Sequence, residues 1–355
     1  MIKKILYLTI PTIIITFLIL ELVFHFLILS CELPDVIYDK ENKIIKYKEN
    51  QTGFFSIGKF PSKGYEWKIN NEGWNNKNNY YEAKNKFRVA VIGDSYVEAF
   101  QVNVDEHYPS IIQSNLPGLE VYSFGISGAP LSTYYQMAKY ISKKFNPDLF
   151  IINVVDNDFD ESLYILRTRD VFTTFKNEES PIFVTPSGLN QKRLLNVLNM
   201  SSTFRYFYHN LKIFHKIKNK VLKKKNIPID NSRSKNNLRD KVKQSMSVIV
   251  DSIYNISSKK LLFVVDGDRN NIYNNLHEVN FYKKDFFDVL DKKSIEYVDL
   301  NNTFKNDYNK YSKKFNSNID HHWDLYGHSI VGKEIISYLN HKLNHERNIS
   351  IFSYK

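Results

Sequence analysis

The chain has 355 residues, a net charge of +11 and a single cysteine, Cys31. One cysteine excludes an intrachain disulfide, so a domain of this length must depend on its hydrophobic core for stability. The sequence shows neither the spacing of a structural zinc site nor a nucleic-acid recognition motif. The positive charge suits anionic glycans or lipid surfaces as partners, or it reflects a compositional bias toward Lys and Asn.

The N-terminal segment is strongly apolar. After the basic start at residues 1–4, residues 5–31 are almost entirely apolar and exceed the ~20 residues that a membrane-spanning helix requires. Lysines precede this run and acidic residues follow it, so the positive-inside rule places the N-terminus in the cytoplasm and the domain outside it. The alternative is a cleaved or lipidated signal, because Ile28-Leu-Ser-Cys31 resembles a processing site. The length of the run, compared with the ~7–15 residues of a signal core, favours an uncleaved anchor.

Two ionisable residues interrupt the apolar run. Glu21 and His25 are four positions apart and therefore share one face of a helix. Ionisable groups inside a membrane usually pair with each other or with a partner, so the sequence predicts such a contact for both residues.

Residues 32–86 carry Gly, Asn and aromatic residues in short clusters without a helical period. We interpret them as a stalk and a lead-in segment that packs against the main domain. The stretch Ile69-Asn-Asn-Glu-Gly-Trp74 predicts a turn near the functional site, with structural packing as its expected role.

From about residue 87 to residue 355, short apolar runs alternate with amphipathic stretches, which predicts a parallel sheet of about five strands between two layers of helices. Strands are predicted at residues 89–92, 120–123, 149–154, 261–265 and 295–300. Helices are predicted at residues 106–115, 131–144, 238–255, 279–292 and 330–343. Residues 160–237 interrupt the alternation and form an insertion that is expected to overhang the site. Its basic part, residues 216–225, is interpreted as a solvated helix end or as a contact for anionic lipid or glycan.

The first predicted strand of this region ends at Gly93-Asp94-Ser95, where a helix is expected to begin. A serine at this place faces the crevice where open α/β sheets bind their ligands. Its backbone N–H also lies near a helix N-terminus, where donors are free to bind developing negative charge. Ser95 is therefore a candidate nucleophile, although Gly, Asp and Ser also form ordinary turns.

Other segments offer the remaining groups that a serine nucleophile needs. The stretch at residues 318–328 contains Asp320 and His322, which one loop can supply as orienting acid and base. His321 is adjacent and remains an alternative base. After two further predicted strands, Gly128 offers a backbone N–H and Asn157 a side-chain amide, the donor types found in oxyanion holes.

Together, these four blocks resemble the SGNH hydrolase superfamily, also called the GDSL esterases and lipases. They occur in the family's order from about residue 87 to the C-terminus, and the resemblance implies a flavodoxin-like three-layer α/β/α fold of the SGNH hydrolase type. The sequence departs from the family pattern at Tyr96, where the family has Leu, and in the two-residue spacing of its acid and histidine. The resemblance implies these site residues: catalytic Ser95, Asp320 and His322; oxyanion-hole Ser95, Gly128 and Asn157; and, as secondary candidates, Asp94, His321 and Asp158.

The resemblance also implies a function. It indicates a serine esterase or acyl-transfer enzyme, without cofactor or metal, that removes or transfers O-acetyl groups on a cell-envelope carbohydrate. The expected partners are an ester-bearing carbohydrate or small ester, the membrane through the N-terminal helix, and, for transfer, a multipass acyl-donor membrane protein. The alternatives are a lipase or thioesterase, and a catalytically silent glycan-binding or polysaccharide-assembly scaffold. The complete set of site residues favours an enzyme over a scaffold.

Overall fold

A computed structural model describes residues 5–27, 29–56, 58–59, 61, 64–176, 182–186, 188–189, 193–213, 232–258, 260–317 and 320–346. The basic start at residues 1–4 and the basic stretch at residues 216–225 lie outside the described residues.

Helices and strands alternate along the described chain. The helices are α1 (Ile10–Phe26), α2 (Ser95–Glu98), α3 (Tyr108–Asn115), α4 (Leu131–Phe145), α5 (Asn157–Asp160), α6 (Arg193–Leu198), α7 (Ser202–Arg205), α8 (Ser232–Ile256), α9 (Arg269–Asn274), α10 (Phe281–Lys292), α11 (Leu300–Tyr311) and α12 (Leu325–Glu346). Two π-helical segments, Ile5–Thr9 and Tyr206–Asn210, precede α1 and follow α7. The strands are β1 (Val36–Asp39), β2 (Ile44–Tyr47), β3 (Gln51–Phe55), β4 (Tyr65–Ile69), β5 (Phe87–Gly93), β6 (Leu119–Gly125), β7 (Leu149–Val154), β8 (Thr174–Lys176), β9 (Ile182–Val184), β10 (Leu261–Val265) and β11 (Tyr297–Asp299).

The central sheet has five strands in the order β11-β10-β7-β5-β6, and every neighbouring pair is parallel. Numbered along the chain, this is the order 2-1-3-4-5 of flavodoxin-like sheets. The strand order reverses direction between β5 and β7, where Val89 pairs with Leu149. The predicted three-layer fold with a parallel sheet of about five strands is confirmed.

The sheet is covered on both faces because successive residues of a strand point to opposite sides. Ala90 and Ile92 of β5 belong to a core that also contains residues of α4, α8 and α10. Val89 and Val91 belong to a second core with residues of α3, α11 and α12. This two-sided burial explains why the central strands are continuous apolar runs.

The predicted last strand, residues 295–300, is shorter in the structure. It covers Tyr297–Asp299, because the Asp299 carboxylate accepts a hydrogen bond from the backbone N–H of Asn301 at 3.0 Å and caps a helix that begins at Leu300. This helix, α11, is absent from the sequence prediction. The last helix begins at Leu325, five residues earlier than predicted, where the Asp324 carboxylate accepts from Gly327 N at 2.8 Å.

Residues 36–69 form two antiparallel hairpins, β1 with β2 and β3 with β4. Trp67 of β4, and Trp74 and Tyr80 in the segment that follows β4, are buried in the same core as α4. The turn predicted before Trp74 is present, since Asn70 Oδ1 accepts from Trp74 N at 3.1 Å. The Trp74 ring packs edge-on against Phe124 of β6 at 5.2 Å between centroids, which agrees with the predicted packing role.

Among the described residues, one helix is long and apolar enough to cross a membrane. It covers Tyr7–Phe26 near the N-terminus, and its side chains lie outside the protein core. This finding fits both the predicted anchor and a signal sequence.

Candidate active site

The candidate nucleophile lies where β5 turns into α2. Asp94 Oδ1 accepts a hydrogen bond from Tyr96 N at 3.0 Å and caps the short helix that begins at Ser95. A Cβ at Gly93 would lie 2.4 Å from a methyl carbon of Val97, so this tight turn requires glycine. Ser95 is 7% exposed and stands next to the point where the strand order reverses, which is the ligand-binding crevice of doubly wound sheets.

Three predicted catalytic residues lie together at this crevice. His322 Nε2 is 2.7 Å from Ser95 Oγ, and His322 Nδ1 is 2.9 Å from Asp320 Oδ2. Asp320 Oδ1 also accepts from His322 N at 3.1 Å, so the two-residue spacing closes a compact turn that brings the carboxylate to the ring. Gln101 donates to Asp320 Oδ2 at 3.4 Å and was missed by sequence reasoning. This chain of atoms is the arrangement of nucleophile, base and orienting acid.

The alternative base, His321, is placed differently. In the described part of the chain, no hydrogen bond joins the His321 imidazole to Ser95, and this side chain is exposed. Its backbone carbonyl accepts from Tyr96 Oη at 2.9 Å. The geometry therefore favours His322 over His321 as the group that contacts Ser95.

The negative charges around His322 make its imidazole a stronger base. Burial acts to lower the pKa of His322, but the contact with Asp320 outweighs it and raises this pKa above its ordinary value. Burial acts to raise the pKa of Asp320, but the hydrogen bond and the charge of His322 hold it below its ordinary value. Burial raises the pKa of Asp94 to about 6, and Asp94 Oδ2 lies 3.3 Å from Ser95 Oγ. Asp94, a secondary candidate, thus contacts the nucleophile and caps its helix.

The predicted oxyanion donors line the same cleft. A cleft of about 360 Å³ is lined by Ser95, Gly128, Asn157, Arg169 and His322, among others. Gly128 has a φ of +77°, and a Cβ there would lie 3.0 Å from the guanidinium carbon of Arg169. Glycine is favoured here because residues with a Cβ rarely adopt this positive φ. Arg169 belongs to the insertion, and no motif spacing indicates its presence here.

Asp158, the third secondary candidate, does not line the cleft. Its carboxylate is buried, and Oδ2 accepts from Val155 N at 2.9 Å and from Tyr134 Oη at 3.0 Å. Burial raises the pKa of Asp158 well above its ordinary value. These contacts fix the turn after β7, so Asp158 positions the segment that carries Asn157.

Glu98 plays a corresponding role for the Gly128 segment. Its buried carboxylate accepts from Ser127 N at 2.8 Å and contacts the hydroxyl of Tyr47. Burial raises the pKa of Glu98 to about 7. These contacts with distant parts of the chain connect α2 to the predicted oxyanion loop.

Arg269 connects β10 to the catalytic loop. Its guanidinium donates to His321 O at 2.6 Å, to Tyr96 Oη at 2.6 Å and to Asp266 Oδ2 at 2.8 Å. Trp323 Nε1 donates to the other oxygen of Asp266 at 3.1 Å. Arg269 therefore holds residues 320–323 against the sheet. No motif spacing in the sequence indicates this contact.

A larger cavity of about 800 Å³ adjoins the cleft, and Tyr96, Asn157 and His321 line both. Its remaining lining combines amide side chains and an aromatic ring, namely Asn270, Asn271, Asn274, Asn280, Asn316 and Tyr273, with charged side chains, namely Asp156, Asp266, Asp268, Arg269, Glu278 and Lys314. Among the described residues, no group of three or more His, Cys, Asp and Glu side chains is arranged to hold a metal ion.

Comparisons with known proteins give weak similarities. Neither a protein-family model nor a curated protein sequence matches the chain. A two-domain esterase active on acetylated mannans is 12% identical, with a TM-score of 0.39, over 72% of this chain and 49% of its own, so the match spans about half of that protein. A member of the lipolytic protein G-D-S-L family from Veillonella parvula DSM 2008 is 9% identical over 71% of this chain and 98% of its own, with a TM-score of 0.39. An acetylxylan esterase from Geobacillus stearothermophilus is 11% identical over 72% of this chain and 95% of its own, with a TM-score of 0.39.

Proposed function

We propose that the chain is an SGNH-type serine esterase or acyl-transfer enzyme that removes or transfers O-acetyl groups on a cell-envelope carbohydrate. The observation that carries this proposal is the continuous contact from Ser95 Oγ to His322 at 2.7 Å and from His322 to Asp320 at 2.9 Å. These residues meet at the crevice of a 2-1-3-4-5 sheet, in the order of the family blocks. A scaffold has no need of such a complete set.

The proposed reaction has two acyl-transfer steps. His322 Nε2 takes the proton from Ser95 Oγ while the oxygen attacks the ester carbonyl carbon. The backbone N–H groups of Ser95 and Gly128 and the Asn157 amide stabilise the oxyanion. The imidazolium then gives its proton to the leaving alkoxide as the ester C–O bond breaks, which leaves acyl-Ser95. Water or a sugar hydroxyl, deprotonated by His322, attacks the acyl group, and Ser95 Oγ leaves with that proton.

The cleft supports a short acyl group. None of the described residues that line it is aliphatic. A long acyl chain gains most of its binding energy from apolar burial, at roughly 0.8 kcal/mol per methylene, and this small cleft without aliphatic side chains offers little surface for it. The site therefore favours acetyl esters over the substrates of a lipase.

The adjoining 800 Å³ cavity supports a carbohydrate substrate. The asparagine amides and carboxylates of its lining can donate to and accept from sugar hydroxyls. Because this cavity meets the cleft at Tyr96 and Asn157, a sugar bound there would present its ester, or its acceptor hydroxyl, to Ser95. We further propose that the N-terminal helix anchors this domain on the extracytoplasmic side, where a multipass partner would supply the acyl donor for transfer.

The test of this proposal separates hydrolysis from transfer. The full-length chain, purified in detergent, is incubated with an aryl acetate, with and without a neutral oligosaccharide, and with a fluorophosphonate probe. We expect release of the phenol and labelling of Ser95. Acetylated oligosaccharide as product identifies a transferase, and free acetate alone identifies an esterase. Absence of both turnover and labelling would overturn the serine-hydrolase proposal.

Removal of one proposed oxyanion donor gives a further prediction. We expect Asn157→Ala to lower kcat for the aryl acetate by roughly 10²- to 10³-fold, because the amide stabilises charge that develops only in the transition state. KM should change little for the same reason. Asn115→Ala, which removes an exposed asparagine at the end of α3, is the control and should retain wild-type kcat. A KM effect without a kcat effect would assign Asn157 to ground-state binding instead.

A further inference from the structure

The apolar helix α1 carries one carboxylate, and a distant segment of the chain satisfies it. Glu21 accepts hydrogen bonds from Ser201 Oγ at 2.8 Å, from Ser202 N at 2.5 Å and from Thr203 N at 3.0 Å. A carboxylate on a membrane-spanning helix requires such partners. The partner predicted for Glu21 is thus the start of α7, while the His25 ring contacts Phe26 at 5.3 Å between centroids.

More contacts attach the same segment to the end of α1. The Phe24 ring stacks on Tyr206 at 4.4 Å. Asn210 accepts from Cys31 N at 2.9 Å and donates to Leu29 O and Ser56 O, both at 3.0 Å. Cys31 is only 4% exposed. Residues on both sides of the possible processing site are therefore packed into one unit, which favours a retained helix over a cleaved one.

The position of Glu21 along α1 determines how deep the residues that bond to it lie in the bilayer. Glu21 lies five residues before Phe26, the last residue of α1, which corresponds to ~7.5 Å along a helix axis. Phe26 and Leu27 are still exposed and apolar, so the lipid-facing surface of α1 continues past Glu21. The groups that bond to Glu21 must then lie inside the membrane boundary that the end of this apolar surface marks. Their depth matches the ~5–10 Å at which interfacial segments are buried.

The exposed side chains of this segment fit that depth. Val197 is 63% exposed and Met200 is 79% exposed, and Leu198 beside them is also exposed. All three lie just before Ser201, the residue that contacts Glu21. They therefore stand beside the contact with α1, and Val197 and Met200 also line a cavity with Leu33, Pro34 and Val36, which follow α1. Exposed apolar side chains next to a membrane-spanning helix favour lipid as the partner.

We propose that residues 193–213 form a juxtamembrane collar, which grips α1 through Glu21 and inserts Val197, Leu198 and Met200 into the headgroup region of the bilayer. The collar keeps α1 as part of the folded protein and fixes the orientation of the domain relative to the membrane.

Depth-dependent quenching tests the collar and does not depend on enzymatic activity. The full-length chain carries Val197→Cys or Met200→Cys, labelled with an environment-sensitive fluorophore, in phosphatidylcholine and phosphatidylglycerol vesicles. Cys31 stays in place because it is buried, and the wild-type chain serves as the labelling blank. Tyr311→Cys is the matched control, since Tyr311 is a 57% exposed apolar residue on α11, outside the collar. Thermal unfolding verifies that each variant is folded.

We expect nitroxide-labelled lipids to quench the probes at positions 197 and 200 several-fold more strongly than the probe at position 311, and iodide to show the opposite order. Equal iodide quenching at all three positions would overturn the proposal, because the collar would then face water. Shielding of positions 197 and 200 from both quenchers would also overturn it and would assign this surface to a protein contact.

Discussion

Replacement of Ser95 or His322 by alanine is expected to lower kcat/KM for an aryl acetate by on the order of 10⁴-fold or more. Ser95→Ala removes the atom that forms the acyl intermediate. His322→Ala removes the ring nitrogen 2.7 Å from that atom, and without it the hydroxyl keeps its proton at neutral pH. The double variant should lose little more than either single variant, because residues that act as one unit are not additive. Initial rates at pH 8 measure both effects.

His321→Ala is the matched control for the histidine. Its imidazole is exposed, and alanine retains the backbone carbonyl that accepts from Tyr96 and Arg269. We therefore expect a far smaller loss than for His322→Ala, with unchanged thermal unfolding in all variants. If His321→Ala lost as much activity as His322→Ala, His321 would be the base. Turnover at the wild-type rate in Ser95→Ala would exclude this serine as the nucleophile.

The central strands could be predicted from sequence because they are buried on both faces. β7 and β10 match their predicted bounds, since a strand between two helical layers must be apolar throughout. The edge strand β11 is half-buried and only three residues long, so its apolar signal is weak. Of the twelve residues of α11, only Leu300 and Phe304 are buried, which leaves too little periodicity to predict this helix.

The N-terminal hairpins could not be predicted, because their stability comes from contacts with distant parts of the chain. A two-stranded hairpin is marginal in isolation. Trp67 of β4 contacts the Phe100 ring at 6.0 Å between centroids, and Gln136 of α4 donates to the carbonyl of Asn42, between β1 and β2, at 2.7 Å. These partners lie more than thirty residues away in the sequence, where local patterns carry no information about them.

The same difference between local patterns and long-range contacts applies to the candidate site. Ser95 and the segment of Asp320 and His322 are local motifs, and the resemblance of these motifs to the SGNH family predicted that they meet. The supporting contacts join distant segments: Glu98 to Ser127, and Arg269 to the carbonyl of His321. Such contacts depend on how loops fold over the sheet edge, and no spacing rule specifies them. The roles of the catalytic residues themselves stay predictions for the variants to test.

The second large loss of kcat/KM is expected for the Asp320→Asn variant. We expect kcat/KM to fall by roughly 10³- to 10⁴-fold, because the carboxylate that orients the imidazole and stabilises the imidazolium becomes a neutral amide. Asparagine keeps the size of the side chain and an oxygen that can accept from His322 N, so the fold should be retained. Asp105→Asn, which neutralises an exposed carboxylate, is the control and should leave the rate near that of the wild type.

The pH profile of Asp320→Asn tests the physical cause of this loss. The base acts in its neutral form, so kcat/KM falls as the pH drops below the pKa of His322. In the wild type, Asp320 holds this pKa above its ordinary value against the opposing effect of burial. Without the negative charge, burial dominates and the pKa falls, so the acidic limb of the profile should move to lower pH. An unchanged limb would show that the Asp320 charge does not set the pKa of the base, and a shift to higher pH would contradict the proposed electrostatics.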